Sequence, residues 1–186
     1  MPVNKGYLTA DRTRQGDETF TPEYAVLPLL KYLNKDTVIW CPFDYEDSEY
    51  VKCFQNNGFK VIYSHIDFNQ DFLTYEPEEK YDVIIGNPPY SIKDKILKRL
   101  TELNKPYAVL LPLPTLQGQS RFEDLKNSQA LIFDKRIKFI QNGKVGAAPA
   151  FASIYICKEF LPKDLIFEEL KIKWYNNIIR KFEGGA

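Results

Sequence analysis

Little in this sequence would let it work by bulk charge, by cysteine chemistry or inside a membrane. Its 186 residues hold 25 Lys+Arg against 25 Asp+Glu, a formal net charge of zero. That argues against a histone-like arm that binds polyanions by charge alone. The three cysteines, Cys41, Cys53 and Cys157, are too few and too scattered for a disulfide framework or a CxxC zinc site, so no metal is expected. His65 is the single histidine. No apolar run approaches the roughly 18 residues that span a bilayer. The first 20 residues carry no apolar stretch of the signal-peptide kind. The expectation is a cytoplasmic protein with no membrane partner. Its length suits one domain, and 44% hydrophobic with 27% charged residues is globular composition rather than disorder.

The chain divides into a polar arm over residues 1–20 and one domain over 21–186. Thr21-Pro22-Glu23 reads as a helix start with Thr as the cap, followed by an apolar stripe to Leu33 that Pro28 interrupts. Residues 37–43 (TVIWCPF), 59–66 (FKVIYSHI), 81–85 (YDVII) and 107–111 (YAVLL) read as buried strands. Helices are expected over 47–57, with Tyr50, Val51 and Phe54 inward and Gly58 as the stop, and over 92–103, with lysines on the outer face. Residues 137–141 and 152–157 read as two further strands joined by a loop, which suits an antiparallel pair at a sheet edge. Residues 164–182 read as a strand or helix packing late onto the domain, and 183–186 as a frayed end. Strands alternating with helices predict a mostly parallel α/β sheet.

The chemistry is concentrated in Gly86-Asn87-Pro88-Pro89-Tyr90, where an apolar strand runs directly into the tetrapeptide. Ligands of open α/β sheets bind beyond the carboxyl ends of strands. The Asn87 side-chain carbonyl and the Pro88 main-chain carbonyl are acceptors, and two prolines stiffen the turn while removing donors. Two fixed acceptors suit a planar amino group that must donate two hydrogen bonds. Holding it so draws the nitrogen toward sp³ and aims its lone pair at an electrophile. Tyr90 offers a face on which a base or amide plane can stack.

This arrangement resembles motif IV, (D/N/S)PP(Y/F/W), of the S-adenosylmethionine-dependent amino methyltransferases. Asn-Pro-Pro-Tyr occurs in adenine-N6 methyltransferases of DNA and RNA and in glutamine-N5 methyltransferases of release factors. Over TPEYAVLPLLKYL, WCPFD, SHI and NPPYS the chain is similar to small phage- and prophage-borne adenine methyltransferase-like proteins. The resemblance implies a Rossmann-like methyltransferase fold, a mostly parallel seven-stranded sheet with its last strand antiparallel. It implies S-adenosylmethionine as cofactor, a DNA or RNA substrate, and Asn87, Pro88, Pro89 and Tyr90 as the catalytic motif. Asp71-Phe72 resembles motif III, which holds the cofactor's adenine. Thr21-Pro22 resembles motif X, which contacts the methionine carboxylate. Motif I, usually glycine-rich, is here Pro42-Phe43-Asp44 without glycine, with Asp44 facing the methionyl ammonium. His65 occupies the place of the acid that usually takes the ribose hydroxyls. The expected cofactor residues are therefore Thr21, Pro22, Pro42, Phe43, Asp44, His65, Asp71 and Phe72.

Charge is unevenly spread. Residues 41–92 hold three Lys/Arg and ten Asp/Glu; residues 93–186 hold seventeen and ten. The basic half follows the motif, and Lys93, Arg99, Arg121 and Lys144 are candidate contacts to a nucleic-acid backbone. Loops 114–121 and 143–151 flank the expected cleft and suit an extruded base. With about 30 residues after the last core strand, no separate target-recognition domain is expected. The leading reading is an adenine-N6 methyltransferase. The alternatives are a protein glutamine-N5 methyltransferase and a non-catalytic, methyltransferase-like module that binds nucleic acid.

Overall fold

The computed structural model of the chain describes residues 19–141, 144–146 and 149–171. Most of the expected arm, and the expectations placed on residues 172–186, lie outside the described residues. Strand β1 (Thr19–Phe20) leads into helix α1 (Glu23–Val26), a 3-10 turn (Leu27–Tyr32), β2 (Val38–Cys41), α2 (Glu49–Asn56) and β3 (Lys60–Tyr63). Then come β4 (Val83–Gly86), α3 (Lys93–Leu103), β5 (Tyr107–Pro112), α4 (Phe122–Leu125) and β6 (Gln129–Phe133). The small strands β7 (Ile140–Gln141) and β8 (Lys144–Val145) precede β9 (Ser153–Lys158) and β10 (Leu165–Glu168).

Seven strands form one sheet in the order β10-β6-β9-β5-β4-β2-β3. All pairings are parallel except those of β9, which runs antiparallel to both β5 and β6. This is the mostly parallel seven-stranded sheet expected, and the antiparallel strand is the last core strand marked in the sequence. It lies inside the sheet rather than at its edge, because β6 covers it on one side and β10 adds a further parallel strand outside β6.

The strands alternate between two cores, as a sheet covered on both faces must. Ile39, Cys41, Val83, Ile85, Ala108, Leu110 and Tyr155 meet α1 and α2 through Ala25, Val26, Leu29, Tyr50, Val51 and Phe54. Trp40, Ile84, Tyr107, Val109 and Leu111 meet α3 and α4 through Ile96, Leu97, Leu100 and Leu125. Gly58 ends the α2 region at φ 85°, and Asn104 ends α3 at φ 47°.

The early break expected at Pro28 is present: the first helix is α-helical for only one turn, because Pro28 has no N–H to donate to Tyr24 and the chain tightens to 3-10 from Leu27. The expectation for the segment before the last core strand is corrected, and one strand is added. Residues 137–141 are not a sheet strand: only Ile140–Gln141 pairs, with Thr19–Phe20 on one side and Lys144–Val145 on the other. The fifth strand of the main sheet is β6, whose apolar run Ala130–Phe133 carries the signal the sequence reading passes over. No helix of the described residues is long and apolar enough to cross a membrane.

Candidate active site

Strand order reverses between β2 and β4, since β3 lies outside β2 and the chain then crosses back to place β4 on its other side. The crevice beyond the carboxyl ends at such a reversal is where open α/β sheets bind ligands. Here β2 delivers Pro42-Phe43-Asp44, β3 delivers Ser64-His65 and β4 delivers Asn87-Pro88-Pro89-Tyr90. Two main-chain hydrogen bonds lock the first two loops together, Ser64 N–H to the Cys41 carbonyl (3.1 Å) and Asp44 N–H to the Ser64 carbonyl (3.2 Å).

Asn87 is buried and its amide Nδ2 donates to Thr21 Oγ1 at 3.0 Å. Thr21 is not the helix cap the sequence suggests. Pro22 holds that position, no side chain caps the helix, and the Thr21 hydroxyl serves Asn87 instead. Tyr90 sits half-buried with its ring edge-on to Phe151, 5.8 Å between centroids.

The cleft has two lobes that share Phe43 and His65. One, of about 460 Å³, is lined by Thr21, Asp44, Tyr45, Tyr50 and Asn87 among others. The second, of about 450 Å³, is lined by Pro42, Ile66, Asp71, Phe72 and Pro89 among others. The first lobe is polar, with the Asp44 carboxyl buried in its wall. The second is apolar: Phe72 packs on Phe43 (5.0 Å) and on Trp40 (5.4 Å). Asp71 turns Oδ1 to its own loop, accepting from Leu73 N–H at 3.0 Å. Of the expected cofactor residues, all but Pro22 line these two lobes; Pro22 is buried at the start of α1.

The sequence model of the Eco57I restriction-modification methylases matches residues 41–144, more than half of the chain and the whole segment from the β2 loop through the tetrapeptide. The chain belongs to the Eco57I restriction-modification methylase family. Among solved structures, the 23S rRNA methyltransferase ErmE shares the fold, with a TM-score of 0.51 at 14% sequence identity over 90% of this chain and 80% of that one. No curated protein sequence matches significantly. Family and fold make the protein a methyltransferase and imply a methyl donor.

In this methylase the glycine missing from the first loop is found on the facing strand. A Cβ on Gly86 would lie 3.0 Å from Phe43 Cδ2 and 3.5 Å from Asp44 Oδ2. The β2 loop therefore packs over the end of β4 more closely than a side chain at residue 86 would readily allow. Other lining residues escape motif reading. Tyr45 stacks on the His65 ring at 4.1 Å and donates to Asp67 Oδ2 at 2.6 Å. His65 Nδ1 accepts from Asp67 N–H at 3.2 Å, so a neutral His65 carries its proton on Nε2. A run of aromatics after motif I is the trace Tyr45 leaves in the sequence, and Tyr50 is marked there only as an inward helix position.

The methylase's candidate basic residues are placed differently. Lys93 opens α3 just after Tyr90 and is beside the cleft. Arg99 is not brought to it: its guanidinium pairs with Glu76 (3.9 Å) and Glu102 (3.7 Å), and Glu76 also accepts from Tyr81, at the amino end of β4. Arg121 is a loop staple rather than an open phosphate contact. It donates to the Thr115 carbonyl (2.7 Å), the Gln117 carbonyl (2.9 Å) and Asp94 (2.7 Å), and its side chain is only 13% exposed. Lys144 lies in β8, and its side chain is outside the described residues.

Proposed function

We propose that this methylase transfers a methyl group from S-adenosylmethionine to the exocyclic N6 of adenine in DNA. The observation that carries the reading is the placement of Asn87-Pro88-Pro89-Tyr90 at the carboxyl end of β4, on the reversal of strand order and beside both lobes. The residues present fit the cofactor. The buried Asp44 carboxyl suits its ammonium, and the apolar lobe of Phe43, Ile66 and Phe72 suits its purine. His65, with Nε2 protonated, suits the ribose hydroxyls between them. S-adenosylmethionine supplies the methyl group as an electrophile on a sulfonium. The Asn87 and Pro88 carbonyls accept the two amino hydrogens of the target base, fix its plane and raise the lone pair on nitrogen. Tyr90 stacks on the extruded base. This work is positioning and electrostatics. The restriction-modification membership of the family supports DNA as the polymer, and Lys93 at the cleft edge suits its backbone.

The test is a tritiated S-adenosylmethionine transfer assay on unmethylated DNA and on total RNA, wild type beside Asn87→Ala. Asn87→Ala is expected to lose at least about a hundredfold in rate, with cofactor affinity within a few-fold, because its contact counts most in the transition state. Activity surviving in Asn87→Ala would refute the mechanism. Transfer to RNA alone would refute the DNA assignment. A protein that binds cofactor but methylates neither polymer would favour the glutamine-N5 reading.

A further inference from the structure

We infer that Tyr50 and Tyr155 are positioning residues that decide which end of the Asn87 amide faces the substrate. The inference rests on the reading of Asn87 given above.

An asparagine amide has one end that donates and one that accepts, and the two are nearly the same shape, so its neighbours determine its orientation. One neighbour of the Asn87 amide is Thr21 Oγ1, at 3.0 Å. A hydroxyl alone does not decide the matter, since it can accept from Nδ2 or donate to Oδ1 equally well. The ambiguity is resolved further along. Tyr155 Oη lies 3.1 Å from the Ala25 main-chain carbonyl, which can only accept, so the Tyr155 proton is committed there. Tyr50 Oη lies 2.8 Å from Tyr155 Oη, so with that proton spent Tyr50 must be the donor to Tyr155. Tyr50 then has only lone pairs to offer Thr21, whose side chain hydrogen-bonds it at the wall of the same lobe. Thr21 gives Tyr50 its proton and is left to accept from Asn87. The result is one direction of donation, from Asn87 Nδ2 through Thr21, Tyr50 and Tyr155 to the Ala25 carbonyl. It turns the Asn87 carbonyl oxygen away from Thr21, the orientation a target amino group needs.

The acidities of the two phenols agree with this order. Burial pushes both well above the usual tyrosine range. For Tyr50, Tyr155 pushes the same way, as an acceptor does, and Thr21 opposes it, as a donor does. For Tyr155, Tyr50 acts in the lowering direction, as a donor does. Both rings are buried, Tyr50 on α2 at the wall of the polar lobe and Tyr155 on β9 behind it, lining neither lobe.

Removing the Tyr155 hydroxyl takes away the fixed acceptor route. Tyr50 then gains most by donating to Thr21, Thr21 by donating to Asn87, and the amide turns over to present its NH₂ to the substrate. The experiment compares Tyr155→Phe and Tyr50→Phe with wild type in three readouts: kcat for methyl transfer, S-adenosylmethionine Kd by titration, and the ¹⁵N side-chain amide resonance of Asn87, assigned by its disappearance in Asn87→Ala. Each variant is expected to lower kcat at least tenfold and shift the Asn87 amide resonance, and Tyr155→Phe, at a residue that lines neither lobe, to leave Kd within threefold. A kcat within twofold of wild type, a parallel loss in kcat and Kd in Tyr155→Phe, or an unmoved resonance overturns the inference. The two variants are independent, so failure of one to fold leaves the other to decide. If wild-type protein methylates nothing, the functional reading has failed, and the resonance arm still judges the relay without substrate or turnover.

Discussion

Substituting Gly86 by alanine tests how the cleft is closed. Gly86 has no left-handed backbone conformation, so Gly→Ala at an ordinary strand position would be neutral or stabilising, by roughly 0.5–1 kcal/mol. Here the new methyl would stand 3.0 Å from Phe43 Cδ2, against an optimal carbon–carbon separation of about 3.5–4.0 Å. Phe43 must give by a few tenths of an ångström, and the rings behind it resist that shift on one side. Its ring packs at 5.0 Å on Phe72, which is buried and itself held at 5.4 Å by Trp40. Overpacking of this kind costs about 1–3 kcal/mol. For a domain of this size that lowers Tm by roughly 2–4 °C per kcal/mol. Phe43 also walls both lobes, so its displacement should weaken S-adenosylmethionine binding on the order of tenfold. The decisive measurement is a double-mutant cycle of Gly86→Ala with Phe43→Ala by chemical denaturation. The expected coupling is about 1–2 kcal/mol, since the methyl costs nothing once the ring is gone. Additivity within about 0.5 kcal/mol would refute the claim that Gly86 exists to admit Phe43.

Three further outcomes follow from the same geometry. Asp71→Ala should weaken S-adenosylmethionine binding by titration while kcat at saturation changes little; unchanged affinity would remove Asp71 from the cofactor site. The three thiols are buried, and burial pushes Cys53 up to about 12 and Cys41 and Cys157 upward as well, so the folded protein should not react with a thiol reagent at pH 8. Rapid labelling of one thiol without unfolding would contradict that placement. Burial, as the leading cause, raises the phenols of Tyr50, Tyr81, Tyr107 and Tyr155, so the folded state keeps protons that the unfolded chain releases near pH 10. Stability should be intact below that pH and fall as pH rises above it, and a denaturation midpoint unchanged from pH 9 to 11 would refute the sign.

Much of the sheet is legible because β2, β4 and β5 are continuous apolar runs, as strands buried on both faces must be. The error at 137–141 has a definite cause. Ile137 and Phe139 alternate with polar neighbours and both are buried, which is the pattern of a half-buried strand. Periodicity reports which side chains are covered, not where the main chain bonds. The N–H of Lys138 donates to Tyr24 Oη at 2.8 Å, and that hydroxyl reaches back to the Lys138 carbonyl at 3.2 Å. One side chain 114 residues away thus replaces the ladder. Arg121 misleads in the same way: its charge is visible in the sequence, but the Thr115 and Gln117 carbonyls that consume its donors become neighbours only when the loop folds.

The glycine-free first loop is the most instructive departure from the family pattern. A motif written along one segment assigns the need for a small residue to that segment. Steric clearance is a property of a pair of surfaces, and either member can supply it. Phe43 lies in a first loop that has no glycine, and its ring edge lies over the end of β4 at Gly86, which has no Cβ. The same loop keeps its carboxylate, Asp44, in the wall of the polar lobe, and it gains an aromatic wall common to both lobes. A bulky loop and a bare strand end therefore constitute one feature, and substitutions at residues 43 and 86 should be tolerated together more readily than either alone.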